Sequence, residues 1–331
     1  MKVSSNVEEE RAVATIADLG ERGVIELVRS RMPAQWASDS RVRIGVGDDA
    51  AVLTTRGDCV LCTDAVVEGV HFRDQWSTGA DVGVKLAARN FIDVHVMGGH
   101  PTALVVSLTA PADTAVSWVE DFADGLVSEC TRAGAVLVGG DTTAGWSLVA
   151  SATALGDLRG KLAVTRAGAQ PGDVLALAGT PGRAAAGLAA LMAGAIQHVD
   201  ATLIAAHTRP QPDYVAAEHA VLAGATAMID TSDGLLVDLG HIARASSVTI
   251  DIEPEALPVN ATIAHAAEML KHDLRSWQYA GGEDHLVAAT FPHHDVIPDG
   301  FVAIGTVSVG APEVLVRGEP WVGSAGYEHF R

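Results

Sequence analysis

Short apolar segments with strand character alternate with helical segments along the chain, and this alternation sets the class of fold. Helical spacing covers residues 81–97 and 114–133, among other stretches, with short apolar strands between the helices. A turn-rich segment, TRAGAQPGD at 165–173, interrupts the pattern. The sequence therefore predicts two domains of the α/β or α+β class, at residues 1–155 and 156–331.

The charge of the chain argues against two classes of partner. Lys and Arg number 22 against 41 Asp and Glu, which gives a net charge of −19 over 331 residues. Nucleic acids and anionic membranes select basic surfaces, because their phosphates must be neutralised. The longest nearly apolar run, Ala184 to Ile196, is too short to span a bilayer. We therefore expect neither nucleic acid nor membrane as a partner.

Cysteine usage indicates a reducing compartment. Three cysteines cannot form a disulfide framework, so we expect a cytoplasmic protein. Cys59 and Cys62 form a C-x-x-C motif within the strand-like segment CVLCT. Residues three apart on a strand point to opposite faces, so these two thiols are not expected to share a metal.

Aspartates recur at the ends of predicted strands, next to small residues. They are Asp48, Asp49, Asp64, Asp141, Asp230 and Asp233. One such residue usually caps a turn or a helix, but a carboxylate beyond a strand end also faces the crevice where α/β proteins bind ligands. Carboxylates gathered in one crevice repel unless cations offset them, and Mg²⁺ accepts carboxylates, waters and phosphates together. The pattern favours a nucleotide bound through several Mg²⁺ ions.

Other nucleotide and metal motifs are weak or absent from the sequence. GVGDDA at 45–50 fits the G-x-G-x-x-A dinucleotide pattern, but its two acids would face a pyrophosphate. The sequence contains neither G-x-x-x-x-G-K-[ST] nor H-E-x-x-H. Any use of ATP is therefore not of the P-loop kind.

The predicted helix at 81–97 carries a charged stripe with two interpretations. Lys85, Arg89 and Asp93 are spaced by four residues and share one helix face. Spacing alone favours a solvated face with salt bridges. The alternative is that Asp93, just before Met97-Gly98-Gly99, reaches a metal ion.

Eight ordered segments closely resemble the thiamine-monophosphate kinase family. They are GVGDDAAVL (45–53), CTDAVVEGVHF (62–72), NFIDVHVMGG (90–99), VGGDTT (138–143), TRAGAQPGD (165–173), IDTSDGLLVDLGHI (229–242), GGEDH (281–285) and GYEHF (326–330). The resemblance runs from about residue 41 to the end. It implies the aminoimidazole-ribonucleotide synthetase-like fold, with an N-terminal domain that binds ATP and Mg²⁺ and dimerises, and a C-terminal domain that closes the cleft.

The resemblance also implies a reaction and a set of residues. ATP would phosphorylate thiamine monophosphate directly, giving thiamine diphosphate, in a homodimer that uses several Mg²⁺ ions. The implied metal ligands are Asp49, Cys62, Thr63, Asp64, Asp93, Asp141, Asp230 and Asp233. The implied catalytic residues are Asp49, Asp230 and Arg166; the implied nucleotide contacts are Gly140, Asp141, Arg166 and Ser232. The implied substrate contacts are His71, Glu283 and Tyr327.

Three positions depart from the family pattern. Cys62 replaces a serine, and because a thiol is a poor Mg²⁺ ligand, any contact there would come from the backbone carbonyl. Ile92 stands where serine is common, and His285 where tyrosine is frequent. The changes at Ile92 and His285 affect the detail of the substrate pocket rather than the chemistry.

The implied chemistry is consistent with the residue types. A phosphate acceptor is already anionic at neutral pH, so catalysis reduces to in-line positioning and charge neutralisation. Arg166 would clamp a phosphate, and Tyr327 would stack on a flat ring. Two alternatives stay open: an ATP-dependent enzyme of the same superfamily with another acceptor, and a non-catalytic protein that binds divalent cations.

Overall fold

The computed structural model describes residues 14–46 and 50–327. The helices are α1 (Ile16–Arg31), α2 (Gly79–Val96), α3 (Val116–Ala133), α4 (Arg183–Met192), α5 (Ala201–Thr208), α6 (Tyr214–Leu222), α7 (Leu235–Ser246), α8 (Ala261–Leu270) and α9 (Leu274–Ala280). The strands are β1 (Val42–Ile44), β2 (Val52–Leu53), β3 (Cys59–Val67), β4 (His100–Ala110), β5 (Val136–Ala144), β6 (Val149–Asp157), β7 (Val174–Ala178), β8 (Ala227–Thr231), β9 (Thr249–Ile252), β10 (Leu286–Phe291), β11 (Phe301–Ser308), β12 (Val314–Val316) and β13 (Glu319–Pro320).

The N-terminal domain is a four-stranded sheet with helices on one face. Its strand order is β3-β6-β4-β5, in which β4 and β5 run parallel and the other pairs antiparallel. Helix α2 packs on β3, β6 and β4, and α3 packs outside it. On the opposite face, the β1–β2 pair and Trp36 cover one end of the sheet. Leu61 and Val105 on that face are exposed.

The C-terminal domain contains a seven-stranded sheet. Its order is β13-β12-β9-β11-β7-β10-β8, and the pairs are antiparallel except for β12 with β9. Buried residues of α7 pack on this sheet in a separate core. The edge strand β8 carries Asp230, which lies opposite Val287 on β10. The predicted two-domain α/β (α+β) class is confirmed, and its sheets are mainly antiparallel.

Helix α2 is the central element of the molecule. A reciprocal capping box begins it, in which Thr78 Oγ1 accepts from the Asp81 amide and the Asp81 carboxylate accepts from the Thr78 amide. Glycine at 83 lets α3 approach, because a Cβ there would lie 2.2 Å from the Phe122 carbonyl oxygen. Nearly all residues of α2 are buried, because the helix also contacts β8, α5 and α6.

One apolar core crosses the boundary between the domains. Leu86 and Phe91 of α2 belong to the same cluster of buried side chains as Tyr214 of α6 and Phe291 of β10. The Tyr214 hydroxyl also donates to Glu129 of α3. The two domains therefore share a continuous buried contact.

Several predicted strands are longer in the structure than the sequence pattern indicated. β6 extends to Asp157, so the predicted division between residues 155 and 156 falls inside this strand. Asp64 lies within β3 and Asp141 within β5, so placing these two aspartates at strand ends was wrong. The pattern misplaced the ends because polar Thr and Asp on a half-covered strand do not interrupt its backbone pairing.

Candidate active site

Three aspartates converge where the two domains meet. Asp64 projects from β3, Asp93 from the last turn of α2, and Asp230 from β8. Burial, the charges of Asp230 and Asp64, and a hydrogen bond with Asp230 raise the pKa of Asp93 well above its usual range. The sequence-predicted convergence of distant aspartates thus holds for these three. A bound cation would offset the repulsion between these carboxylates.

The donor set fits a hydrated magnesium ion better than a closed metal cage. Within residues 14–46 and 50–327, no three His, Cys, Asp or Glu side chains form a ready-made metal centre. Mg²⁺ usually keeps several waters and takes one or two protein carboxylates together with substrate phosphates. Carboxylate oxygens that repel one another are suitable ligands for such an ion, because the ion offsets their charge.

The charged stripe of α2 points into this interdomain site. The side chains of Lys85 and Arg89 are 1% and 9% exposed, so the interpretation as a solvated face was wrong. Lys85 Nζ lies 2.7 Å from Glu283 Oε2, and Arg89 Nη1 lies 2.8 Å from Glu283 Oε1. Arg89 Nε also lies 3.4 Å from Asp64 Oδ2. Arg89 therefore connects the carboxylate cluster with Glu283.

The loop that carries Glu283 has an uncommon backbone. Glu283 and His285 both adopt positive φ, at 69° and 50°, which non-glycine residues rarely do. The Glu283 amide donates to the Ser232 carbonyl and the His285 amide to the Thr231 carbonyl, at 2.8 and 2.9 Å. These bonds fasten the loop to the end of β8, beside Asp230.

Asp284 anchors the same loop to helix α4. Its carboxylate accepts from the amides of Gly182 and Ala184 at the start of that helix. Burial raises the pKa of Asp284 to about 6, although the two amide bonds oppose this shift. The loop is thus held between β8, α4 and α2.

Two further side chains shape the surroundings of the cluster. His285 Nδ1 lies 3.2 Å from Asp230 Oδ2 in a buried contact. Asp238 accepts from the amides of Asp233 and Gly234, which organises the turn between β8 and α7. Burial, with the charges of Asp230 and Asp233, raises the pKa of Asp238 to about 8.

The Cys62 thiol is held by a backbone acceptor. Cys62 Sγ lies 3.1 Å from the Asn90 carbonyl oxygen, and burial with the nearby charges of Asp93 and Asp64 raises the pKa of the thiol. A protonated thiol in this position is a poor ligand for Mg²⁺. The Thr63 side chain lies on the opposite face of β3, where its hydroxyl donates to the Ala152 carbonyl of β6.

The structure shows the local contacts of three further residues that the resemblance implies. Arg166 is exposed and lies close enough to Asp93 that its positive charge partly opposes the rise in the pKa of Asp93. His71 Nδ1 accepts from the Val67 amide, which leaves the proton of a neutral ring on Nε2. The Tyr327 amide donates to the Asp233 carbonyl at 2.8 Å, and its side chain is half exposed.

Gly140 and Asp141 lie away from the three aspartates. Gly140 on β5 lies in register with Asp64 on β3. Three strand spacings separate the backbones of these two residues, a distance of about 14 Å. Asp141 is exposed and points to the opposite face of the sheet. Gly140 is required by packing, because a Cβ there would lie 2.1 Å from the Val106 carbonyl oxygen. Asp48 and Asp49 lie outside the described residues.

The sequence pattern missed four residues around the site as contributors. Lys85 and Arg89 carried a signal, because two cations on a largely apolar helix with Asp93 are unusual. Asp284 and Asn90 carried none, because their importance depends on contacts between segments far apart in the chain. The Asn90 side chain accepts from the Asp64 amide and donates to the Leu86 carbonyl, which fixes β3 on α2.

The fold and its two domains define the class of protein. Residues 47–158 match the family of AIR synthase related proteins, N-terminal domain, and residues 170–281 match the C-terminal domain of the same proteins. Together with the carboxylate cluster at the domain boundary, these matches define a two-domain protein of the AIR-synthase-related class.

Relatives with established names identify the family within this class. A thiamine-monophosphate kinase from Mycobacterium tuberculosis H37Rv is 44% identical over 319 residues, covering 96% of this chain and 93% of the relative. The crystal structure of the Stenotrophomonas maltophilia K279a thiamine-monophosphate kinase matches with a TM-score of 0.78 and 32% identity, covering 89% of this chain and 96% of that one. The structure of AaThiL complexed with AMPPCP and TMP matches with a TM-score of 0.77 and 30% identity, covering 95% and 98%. The chain belongs to the thiamine-monophosphate kinase family, so the predicted family and enzyme class are confirmed.

Proposed function

We propose that this protein transfers the γ-phosphoryl group of ATP to thiamine monophosphate, giving ADP and thiamine diphosphate. The convergence of Asp64, Asp93 and Asp230 at the domain boundary carries this proposal. It is supported by family membership and by AaThiL, a relative of similar fold that was complexed with AMPPCP and TMP. Arg166 and Arg89 bring positive charge to the rim of the acidic cluster.

The proposed chemistry needs positioning more than proton transfer. A phosphate oxygen of thiamine monophosphate attacks the γ-phosphorus of ATP, and the bond from that phosphorus to the bridging oxygen of ADP breaks. The attacking oxygen is already anionic, so the reaction requires no strong general base. Arg166 is exposed beside Asp93 and would bind a nucleotide phosphate through its guanidinium fork. Ser232, just beyond β8, would contact the nucleotide on the same side.

Several magnesium ions are part of the proposal. Among the described residues, Asp64, Asp93 and Asp230 would hold them. Asp233, just beyond the end of β8, would be a further ligand. Bound Mg²⁺ would supply charge neutralisation of the phosphates and orient them for in-line transfer. Thr63 and Cys62 would contribute only through backbone oxygens, because their side chains bind other backbone groups. The role of Asp49 as a ligand stays a prediction.

Three residues are proposed as contacts for the acceptor. Lys85 contacts the His71 carbonyl of one domain and the Glu283 carboxylate of the other. The two residues therefore lie near each other. Tyr327 is tied through its backbone to Asp233 and offers an exposed ring. We propose that these three residues bind the thiamine portion of the acceptor.

The assembly and location are also proposed. The N-terminal sheet exposes Leu61 and Val105 on the face without helices, and burial of these two side chains would favour pairing with a second copy. Asp141 and Gly140, which lie apart from the cluster in one protomer, would then bind nucleotide in the homodimer. All three cysteines are free thiols, which favours the cytoplasm. Among residues 14–46 and 50–327, no helix has the length and apolar character needed to cross a bilayer.

Product analysis tests the proposal. Purified protein is incubated with ATP, thiamine monophosphate and Mg²⁺, and thiamine diphosphate and ADP are quantified by chromatography. We expect equal amounts of both products, and none when EDTA replaces Mg²⁺. ADP release with another acceptor but none with thiamine monophosphate would overturn the assignment of substrate. Thiamine diphosphate formation in EDTA would overturn the role of magnesium.

A further inference from the structure

The two buried cations of α2 make an unusual set of contacts across the domain boundary. Lys85 is 1% exposed, and its ammonium group donates to the His71 carbonyl at 2.8 Å and lies 2.7 Å from Glu283 Oε2. Arg89 binds the other Glu283 oxygen at 2.8 Å and approaches Asp64 at 3.4 Å. Each oxygen of the Glu283 carboxylate therefore has its own cation, supplied by the opposite domain.

Stability alone does not account for this arrangement. Removing an ammonium group from water costs several kcal/mol, and apolar side chains of similar size often replace buried ion pairs without loss of stability. The molecule already has other contacts between the domains, including the shared apolar core and the Arg209–Asp81 pair at 2.8 Å. A buried lysine at this position therefore indicates a role in the geometry of the site.

The geometry of Glu283 itself points to the same conclusion. Two cations on separate oxygens fix the rotation of the carboxylate, which a single partner would leave free. The positive φ of Glu283, 69°, is a conformation that persists only where surrounding contacts enforce it. Although burial favours its protonated form, the charges of Lys85 and Arg89 hold the pKa of Glu283 well below its usual range. The side chain is therefore a fixed anion.

We propose that Lys85 and Arg89 are positioning residues for the phosphate acceptor, because they hold Glu283 of one domain against His71 and Asp64 of the other. Lys85 joins the two groups assigned to the acceptor, the Glu283 side chain and the segment of His71. Arg89 joins Glu283 to Asp64 and thus to the phosphate side of the site. This inference rests on the proposed function, because it concerns how the acceptor of that reaction is bound.

The proposal separates acceptor binding from nucleotide binding. Loss of the Lys85 ammonium leaves Glu283 with one partner and frees the His71 carbonyl, so the acceptor surface loses its fixed geometry. The nucleotide contacts at Arg166 and Ser232 lie on other segments, whereas the Lys85 ammonium binds the His71 carbonyl and Glu283. Arg89 also touches Asp64, so its loss affects turnover in addition to acceptor binding.

Steady-state kinetics of Lys85→Met and Arg89→Met test the proposal. We expect Lys85→Met to raise KM for thiamine monophosphate about tenfold or more, while KM for ATP stays within about twofold. Arg89→Met should raise the same KM and also lower kcat about tenfold. Arg209→Met is the matched control, because it removes an ion pair between α2 and the C-terminal domain without touching Glu283 or His71. Lys85→Gln, which keeps a donor for the His71 carbonyl, serves if the methionine variant does not fold.

The outcomes distinguish this inference from the proposed function. A wild-type protein that forms no thiamine diphosphate overturns the function and the inference with it. An active wild type with an unchanged acceptor KM in the Lys85 and Arg89 variants overturns the inference alone. Equal rises in both KM values, matched by Arg209→Met, would show a general effect on the domain boundary and also overturn it.

Discussion

The His285 imidazole lies against the Asp230 carboxylate, with Nδ1 and Oδ2 3.2 Å apart. The two residues are 1% and 4% exposed and stand at the adjoining ends of β10 and β8. Asp230 also shares a hydrogen bond with Asp93. The imidazole therefore fixes one of the carboxylates on which the proposed metal site depends, although the sequence marks His285 only as a departure from the family pattern.

Replacing His285 by phenylalanine should lower activity more than stability. The change keeps a ring in the buried space but removes the imidazole partner of Asp230, which then keeps only its hydrogen bond with Asp93. Hydrogen bonds to charged groups contribute about 1.5–3 kcal/mol, so we expect kcat to fall about 10- to 100-fold. Thiamine diphosphate formation at saturating substrates measures the effect.

A conservative variant and a surface control show whether the lost contact with Asp230 causes that result. His285→Asn keeps a side-chain partner for Asp230 and should recover part of the lost kcat. His265→Phe, on an exposed position of α8, should behave as wild type. If His285→Phe and His285→Asn are equally impaired, the contact with Asp230 is not the reason.

The sequence predicted the parts of this molecule that local pattern determines. The alternation of strands and helices, the class of fold and the approach of Asp64 and Asp230 follow from apolar spacing and from acids placed next to small residues. The position of Asp93 was expected only from the resemblance to the family, because its spacing alone favoured a solvated face. The ends of β3 and β5 were placed too early, because Asp64 and Asp141 continue their strands.

Contacts between distant segments were beyond the reach of sequence pattern. The stripe of Lys85 and Arg89 has the spacing of a solvated helix face, and only the C-terminal domain packed against α2 makes it buried. Asp284 caps a helix that begins about 100 residues earlier in the chain. Side-chain spacing cannot reveal a cap of this kind, because the capping residue is not beside its helix.

Replacing Asp284 by alanine should destabilise the protein more than removal of an ordinary helix cap. The change leaves the amides of Gly182 and Ala184 without their acceptor in a half-buried place, so we expect a loss of about 2–3 kcal/mol. Asp273→Ala, which removes an exposed cap from α9, should cost about 1 kcal/mol. Thermal unfolding of both variants gives the comparison; equal shifts in Tm would contradict the special role of Asp284.

Replacing Asp230 by asparagine should abolish activity without harming the fold. The change makes one of the three converging carboxyl groups neutral, which relieves the repulsion that raises the pKa of Asp93 and deprives a bound cation of a charged partner. We expect turnover to fall more than about 100-fold while Tm in EDTA is unchanged or higher. Asp299→Asn, at an exposed position, is the matched control and should do neither. Turnover within a few-fold of wild type would remove Asp230 from the proposed machinery.

Replacing Leu61 by glutamate should separate the proposed homodimer. Leu61 is 68% exposed on the helix-free face of the N-terminal sheet, where a charge opposes burial against a second copy. Light scattering after size-exclusion chromatography should give twice the protomer mass for wild type and a single protomer mass for the variant. Leu162→Glu changes a 92% exposed leucine in the segment between the domains and should leave the dimer intact. A dimeric Leu61→Glu variant would show that the dimer contact lies elsewhere. A monomeric wild type would exclude the proposed homodimer.

Buried His95 should make the protein sensitive to mild acid. Its ring stacks on Tyr214 at 4.5 Å, and within residues 14–46 and 50–327 neither ring nitrogen has a hydrogen-bond partner. Burial, with the positive charges of His100 and Arg132, lowers the pKa of His95 to about 3. An unfolded histidine has a pKa near 6.5. Between these values the unfolded chain binds more protons than the folded one, so the free energy of unfolding falls as pH falls below about 6.5.

The variant His95→Phe isolates this contribution. Phenylalanine keeps the stacking on Tyr214 and carries no titratable nitrogen, so the loss of stability between pH 7.5 and 5 should shrink by about 2 kcal/mol. His207, whose pKa burial also lowers to about 3, remains in the variant, so some acid sensitivity persists. Tm measured across this pH range should therefore decline less steeply for the variant than for wild type. Parallel declines would show that His95 is protonated alike in the folded and unfolded chain, and that its buried position does not govern the response to acid.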